Sequence, residues 1–132
     1  MRVRYQNDSS QRIAEFLSSH SAVVRVNYPG LESHPRHARA RRLFAGYGGV
    51  LSFELEGGER RAEEFAQRVR IPAIAPSLGG VQTLLTRPAT TSHAGLPREE
   101  RLRLGISDAL LRLSVGIEAT EDLVEDLRQA LN

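Results

Sequence analysis

Leu110-Leu111-Arg112-Leu113-Ser114-Val115-Gly116-Ile117 is the stretch whose period decides the fold. Side chains alternate along a strand, so Leu111, Leu113, Val115 and Ile117 share one face, while Leu110, Arg112, Ser114 and Gly116 share the other. The first set is an apolar face for a core. The second holds a single charge. A guanidinium set in an apolar strand needs an anion, and its planar fork matches a carboxylate through two parallel hydrogen bonds. That anion is either an internal Asp or Glu, the ordinary structural case, or one carried by a ligand.

Working toward the C-terminus, Ala119 to Leu131 predicts a helix. Glu121 and Asp122 complement the positive end of its dipole, and Leu123, Val124, Leu127 and Leu131 form its buried stripe. Upstream, Pro97 opens a short helix through Arg103 that Gly105 ends, and residues 89–96 read as loop. Before them lie two short extended pieces, Ala73 to Pro76 and Val81 to Thr86, separated by Ser77-Leu78-Gly79-Gly80. Those glycines allow a turn that brings N–H groups and the Ser77 hydroxyl close to a ligand anion. A plain turn or bulge explains the same residues.

The N-terminal half alternates helix and strand. Helices are expected over Ser9 to Ser19, with Asp8 or Ser9 as N-cap and Ile13, Phe16 and Leu17 inward; from Pro35 through Ala38, Ala40 and Leu43; and over Glu59 to Val69. Strands are expected over Ala22 to Tyr28, stopped by Pro29-Gly30, and over Val50 to Leu55, closed by Gly57-Gly58. Helices alternating with about four strands indicate an α+β two-layer sandwich, one sheet with helices packed on it, as a single domain over residues 1–132.

Composition narrows the chemistry. The 132 residues include no Cys, which removes disulfides, thiolate metal sites and a cysteine nucleophile from this chain. All 18 basic residues are arginine. Without lysine the chain cannot form a Schiff base through a side-chain amine, since a guanidinium stays protonated at any physiological pH. Against 16 acidic residues the net charge is only +2, so the arginine excess is no nucleic-acid footprint. The densest cluster, Arg36, Arg39, Arg41 and Arg42, spreads around a helix with few aromatics to stack bases, and no nucleic-acid partner is expected. No apolar run is long enough for a bilayer span and the first residues lack a signal peptide's hydrophobic stretch, so no membrane partner and a cytoplasmic location are expected.

Histidines offer little more. His34 and His37 can share a helix face, but no further ligand lies at an obvious spacing, and no metal site is assigned. His93, after Thr90-Thr91-Ser92, has the chemistry of a general base for Ser92 or a substrate, against the more ordinary reading of local loop hydrogen bonding.

Four runs carry a resemblance: Tyr28-Pro29-Gly30-Leu31-Glu32-Ser33-His34-Pro35; Gly46-Tyr47-Gly48-Gly49-Val50-Leu51-Ser52-Phe53-Glu54-Leu55; Ser77-Leu78-Gly79-Gly80-Val81; and residues 105–118, Gly105-Ile106-Ser107-Asp108 through Glu118. In this order and spacing, from about Arg4 to Leu131, the chain resembles the C-terminal domain of the cystathionine γ-synthase/γ-lyase family. These are pyridoxal-phosphate enzymes of sulfur amino acid metabolism that include methionine γ-lyase and O-acetylhomoserine sulfhydrylase. The resemblance implies the small, mainly antiparallel domain of a fold-type I enzyme. It implies pyridoxal 5'-phosphate as cofactor of the complete enzyme, a homo-oligomer, with none of the cofactor covalently bound by this chain. The lysine, the phosphate-binding loop and the ring-stacking aromatic belong to a larger domain absent from these residues, and a partner chain is expected to supply it.

By motif position the resemblance implies that Arg112 clamps the α-carboxylate of the amino acid substrate and that Ser77 assists. No catalytic or cofactor-binding residue is assigned to this chain. The competing expectation is a non-catalytic remnant, or an amino-acid-binding or oligomerisation module. Four positions depart from the family pattern: Pro76 precedes the serine at a position that varies between activities, Ser92 stands where many members have threonine, and Tyr5-Gln6 replaces a common Arg-His pair.

Overall fold

The computed structural model describes residues 1–132. In chain order the elements are α1 (Arg2–Ser19), β1 (Val23–Asn27), α2 (His37–Leu43), β2 (Val50–Leu55), α3 (Gly58–Arg68), β3 (Ala73–Ile74), β4 (Leu84–Thr86), α4 (Arg98–Arg103), β5 (Leu110–Ser114) and α5 (Thr120–Leu131), with a 3₁₀ turn at Pro88–Thr90 before α4. The fold is α+β, as the alternation of elements predicts. No helix is long and apolar enough to cross a membrane.

All five strands join one sheet in the order β1-β2-β5-β4-β3. The β1–β2, β2–β5 and β4–β5 pairs are antiparallel, and the two-residue β3 lies parallel to β4. The strand count is therefore five rather than about four. The extra strand is half of the extended region before Ser77, recruited by pairing Ala73 with Leu84 and Ile74 with Leu85.

β5 occupies the centre, and its alternation is realised across the sheet. Leu51 pairs with Leu113 and Leu113 with Leu85, while Val26 pairs with Phe53 and Phe53 with Leu111. These residues form the floor of a core closed by Ile13, Ala14 and Leu17 of α1, Ala62 and Phe65 of α3, and Leu123, Leu127, Ala130 and Leu131 of α5. Phe53 and Phe65 meet edge to face, ring centroids 5.6 Å apart.

Three expectations need correction. α1 begins at Arg2, so Asp8 and Ser9 lie inside it instead of capping it. Gln6, Ser9 and Ser10 are buried there, and the Ser9 hydroxyl meets Thr120 Oγ1 of α5 at 2.7 Å, a polar helix–helix seam that looks like a cap signal in one dimension. β5 ends at Ser114, and Ile117 is 48% exposed because the chain has already turned away from the sheet. α2 begins at His37, so Pro35 precedes the helix instead of standing in its first turn, and only Ala40 of α2 is buried.

Candidate functional site

The face of the sheet opposite the core carries a polar row. Asn27 pairs with Ser52, Ser52 with Arg112, and Arg112 with Thr86, one residue from each of four strands. Arg112 sits at the middle of this row, beside a cleft of about 260 Å³ that it lines with Asn27, Ser52, Pro88, Ser92 and His93. The family resemblance drew on Arg112 and noted Ser92; that the two share one cleft is visible only in three dimensions.

No Asp or Glu of the chain pairs with Arg112. Glu54, the nearest carboxylate on this face by register, is held by Arg25 at 3.2 Å and by the Ser107 hydroxyl. Instead Arg112 Nη2 donates to Pro76 O at 2.7 Å and to Ser77 O at 3.1 Å. Its Nε is shielded from solvent and has no partner. An N–H so placed costs free energy, about 1–3 kcal/mol for an ordinary buried donor and more for a charged one, until an acceptor arrives. The internal ion pair, the ordinary fate of such an arginine, is therefore not formed.

Ser77 comes next to Arg112 through its carbonyl, while its side chain is exposed at the start of the glycine turn. That turn is fastened from below. Gly79 adopts φ +79°, a conformation that favours glycine, and its N–H donates to Ser114 Oγ at 3.0 Å. Gln6 Nε2 donates to Gly80 O at 2.8 Å and to Val115 O at 2.9 Å. Farther along, Thr83 donates through its N–H and hydroxyl to the two Glu118 carboxylate oxygens, both at 2.7 Å, while Thr83 Oγ1 accepts from Gly116 N at 2.9 Å. A Cβ on Gly116 would lie 2.3 Å from Val81 O, so no larger residue fits there without displacement. Sequence reading singled out none of Gln6, Thr83 and Glu118 as a site residue. They lie between 33 and 109 positions from their partners, a separation that leaves no local pattern.

Of the remaining candidates His34 and His37 fall outside this arrangement, and His93 lines the cleft with Arg112. His34 Nδ1 accepts from Arg36 N at 3.1 Å, and His37 Nδ1 lies 2.8 Å from Pro29 O, so both serve the local chain. No group of three or more His, Cys, Asp or Glu side chains is placed to hold a metal. His93 Nδ1 lies 2.8 Å from Ser92 Oγ, a local loop contact at the cleft's rim. Behind that rim Asp108 bridges Arg98 and Arg101, each at 2.8 Å, and these hydrogen bonds hold its carboxyl below the usual carboxylate range.

With no lysine in the chain and no Tyr, Phe or Trp lining the cleft, these residues suit a carboxylate ligand and do not suit the pyridoxal ring. Comparison with known proteins agrees on the larger context. Cystathionine gamma-synthase 1, chloroplastic, of Arabidopsis thaliana is 47% identical over 131 residues, covering 99% of this chain and 23% of that protein. Cystathionine gamma-lyase of Bacillus subtilis is 46% identical, covering 99% and 34%. The crystal structure of cystathionine gamma synthase from Xanthomonas oryzae pv. oryzae in complex with aminoacrylate and cysteine superposes with a TM-score of 0.94 at 48% identity, covering 98% of this chain and 34% of that one. The chain thus spans about a third or less of these relatives. The family described as Cys/Met metabolism PLP-dependent enzyme matches residues 1–132 throughout, and the chain belongs to it.

Proposed function

We propose that this chain is the substrate-carboxylate-binding part of a pyridoxal-phosphate-dependent enzyme of sulfur amino acid metabolism, of the cystathionine synthase or lyase, methionine γ-lyase or O-acetylhomoserine sulfhydrylase type. Arg112 receives the α-carboxylate and Ser77 assists. The observation that carries this is the state of the guanidinium: unpaired by any carboxylate of its own chain, with Nε shielded and without an acceptor, beside a cleft. A ligand carboxylate oxygen accepting from Nε completes what the fold leaves open, and a charge-assisted pair fixes the amino acid's orientation.

Pyridoxal phosphate, when bound, supplies an electron sink for chemistry at the amino acid's α-carbon. In this reading the cofactor and its lysine belong to a large domain outside these residues. What this chain contributes is binding and orientation. Pro76 O and Ser77 O hold one guanidinium nitrogen in place, and the Ser77 hydroxyl, free of intramolecular bonds and exposed, is available to the same carboxylate.

Joining this chain to a family large domain, as separate polypeptides or as one, tests the reading. Carbon–sulfur lyase or synthase turnover is expected, with Arg112→Ala lowering kcat/KM by roughly 10- to 100-fold, the equivalent of one charge-assisted hydrogen bond or more. If the complex assembles and turns over while Arg112→Ala leaves the rate unchanged, Arg112 is not the clamp. If the complex assembles and no amino acid substrate turns over, the chain is a binding module or a remnant.

A further inference from the structure

We propose that Gln6, on the first helix, is the positioning residue that fixes the carboxylate site by tying the glycine turn to the central strand. The proposal rests on the preceding reading for what the site binds, but the tie itself is geometric. Gln6 is 6% exposed and 106 residues from Arg112 in sequence. Its single amide nitrogen reaches both parts of the site. One N–H goes to Gly80 O, in the turn whose Pro76 and Ser77 carbonyls hold the guanidinium; the other goes to Val115 O, three residues past Arg112. Gly49, whose carbonyl accepts from Val115 N at 2.7 Å, lies under Gln6: a Cβ there would be 3.2 Å from the glutamine Cβ. The side chain is therefore a wedge where three segments meet.

The chemistry demands a double donor. A carboxamide nitrogen has two N–H groups at a fixed angle, matching two carbonyl acceptors. Glutamate in the same shape would set carboxylate oxygens against carbonyl oxygens. An imidazole points its two nitrogens in different directions and serves both carbonyls poorly. The tie matters because every residue from Pro76 to Gly80 is exposed and two of them are glycine. Such a turn is free to wander unless it is fastened. Fastened, it presents Pro76 O and Ser77 O to Arg112 before any ligand arrives, and the ordering cost is met in folding instead of in binding. Ser114 Oγ, accepting from Gly79 N, supports the same turn from the same strand.

The test uses this chain labelled with nitrogen-15, with Gln6→Glu as the disruptive variant and Gln6→Met as a milder one that keeps side-chain length and removes both donors. In each folded variant, exchange of the Gly79 amide, which donates to Ser114 Oγ, is expected to rise roughly tenfold over wild type, while core amides such as Leu113 stay put. The Arg112 guanidinium signals are expected to collapse toward a freely rotating average. L-methionine titrated into wild type should shift the Arg112 Nε resonance, with the midpoint moving up several-fold in the variants. Uniform loss of protection across the core would mean a purely structural residue and would overturn the proposal, as would unchanged exchange in the turn together with unchanged Arg112 signals. If L-methionine leaves Arg112 undisturbed in wild type, the carboxylate reading fails, and the turn's exchange and the guanidinium rotation still decide the role of Gln6.

Discussion

The two faces of the central sheet are built from the same strands and do opposite things. On one, Leu51, Phe53, Leu85, Leu111 and Leu113 are closed over by three helices and are almost fully buried. On the other, Asn27, Ser52, Arg112 and Thr86 form a polar row under loops, with a guanidinium whose Nε has no acceptor. The first face is closed by apolar packing. The second leaves a guanidinium N–H without an acceptor, and under the proposed function that contrast separates what holds the domain together from what it presents to a ligand.

The contrast predicts unequal costs for substitutions on the two faces. Phe53→Ala removes a fully buried ring and its edge-to-face partner contact with Phe65, and should destabilise the chain by about 3–5 kcal/mol in denaturant unfolding. A cost near zero would mean that the helical layer does not close over this face.

Tyr28 sharpens the core side through pH. It is fully buried and its hydroxyl donates to Gly48 O at 2.8 Å; burial first, then Tyr47 and Asp8, push its pKa up to about 12. Folding therefore favours the neutral phenol. The stabilisation is complete below the unfolded value near 10 and is lost as pH rises from there to about 12, to the extent of roughly 2–3 kcal/mol. Stability measured across this window should fall more steeply in wild type than in Tyr28→Phe. Parallel curves would place the alkaline sensitivity elsewhere.

Gly116→Ala probes the hinge between the faces, where the chain leaves the central strand. Its Cβ would meet Val81 O at 2.3 Å and Glu118 Oε2 at 2.4 Å, both parts of the fastening under the glycine turn. A cost of about 1–3 kcal/mol is expected, with displaced amide resonances in residues 79–83 and an unchanged helical signal. Smaller again is Asp108→Asn, roughly 0.5–1 kcal/mol at neutral pH. Because the two arginines lower its carboxyl, Asp108 contributes stability above the ordinary carboxylate pKa, and this is lost as pH falls through its lowered value. The gap between wild type and Asp108→Asn should therefore close in acid.

The core face was legible from the period of residues 110–117 alone, because burial on one side of a strand writes itself into every second residue. The stretch reads wrongly only at Ile117, where the backbone N–H goes to Val81 O, beyond the end of the sheet. The glycine turn was also legible, since Gly79-Gly80 has few other uses. Its fastening was not. Gln6 and Glu118 look like solvated polar residues until the fold brings them beneath the loop, and the helix start was misplaced for the same reason, with Ser9 serving a partner 111 residues away. Periodicity reports burial, and it does not report polar contacts between distant segments. The Arg112 anion shows the same limit: the residues allow an internal pair or a ligand, and only the structure shows that the internal pair is not made.

The smallest expected effect is the one that most sharply separates the faces. Arg112→Leu replaces a charged side chain at the centre of the sheet with an apolar one of helpful shape, beside Leu110 and the Pro88 rim. It gives up the bonds from Nη2 to Pro76 O and Ser77 O, and it also removes the shielded Nε that no acceptor satisfies. Each lost bond is worth about 1 kcal/mol net, and the relieved donor returns a similar amount. The two carbonyls belong to exposed residues, so water replaces the guanidinium there at little cost. Unfolding free energy should therefore change by less than about 1 kcal/mol, in either direction, whereas the carboxylate binding proposed for this face should be abolished. A core-sized loss of stability in Arg112→Leu would show that the arginine is a structural member of the sheet, and would dissolve the division between a face that folds and a face that binds.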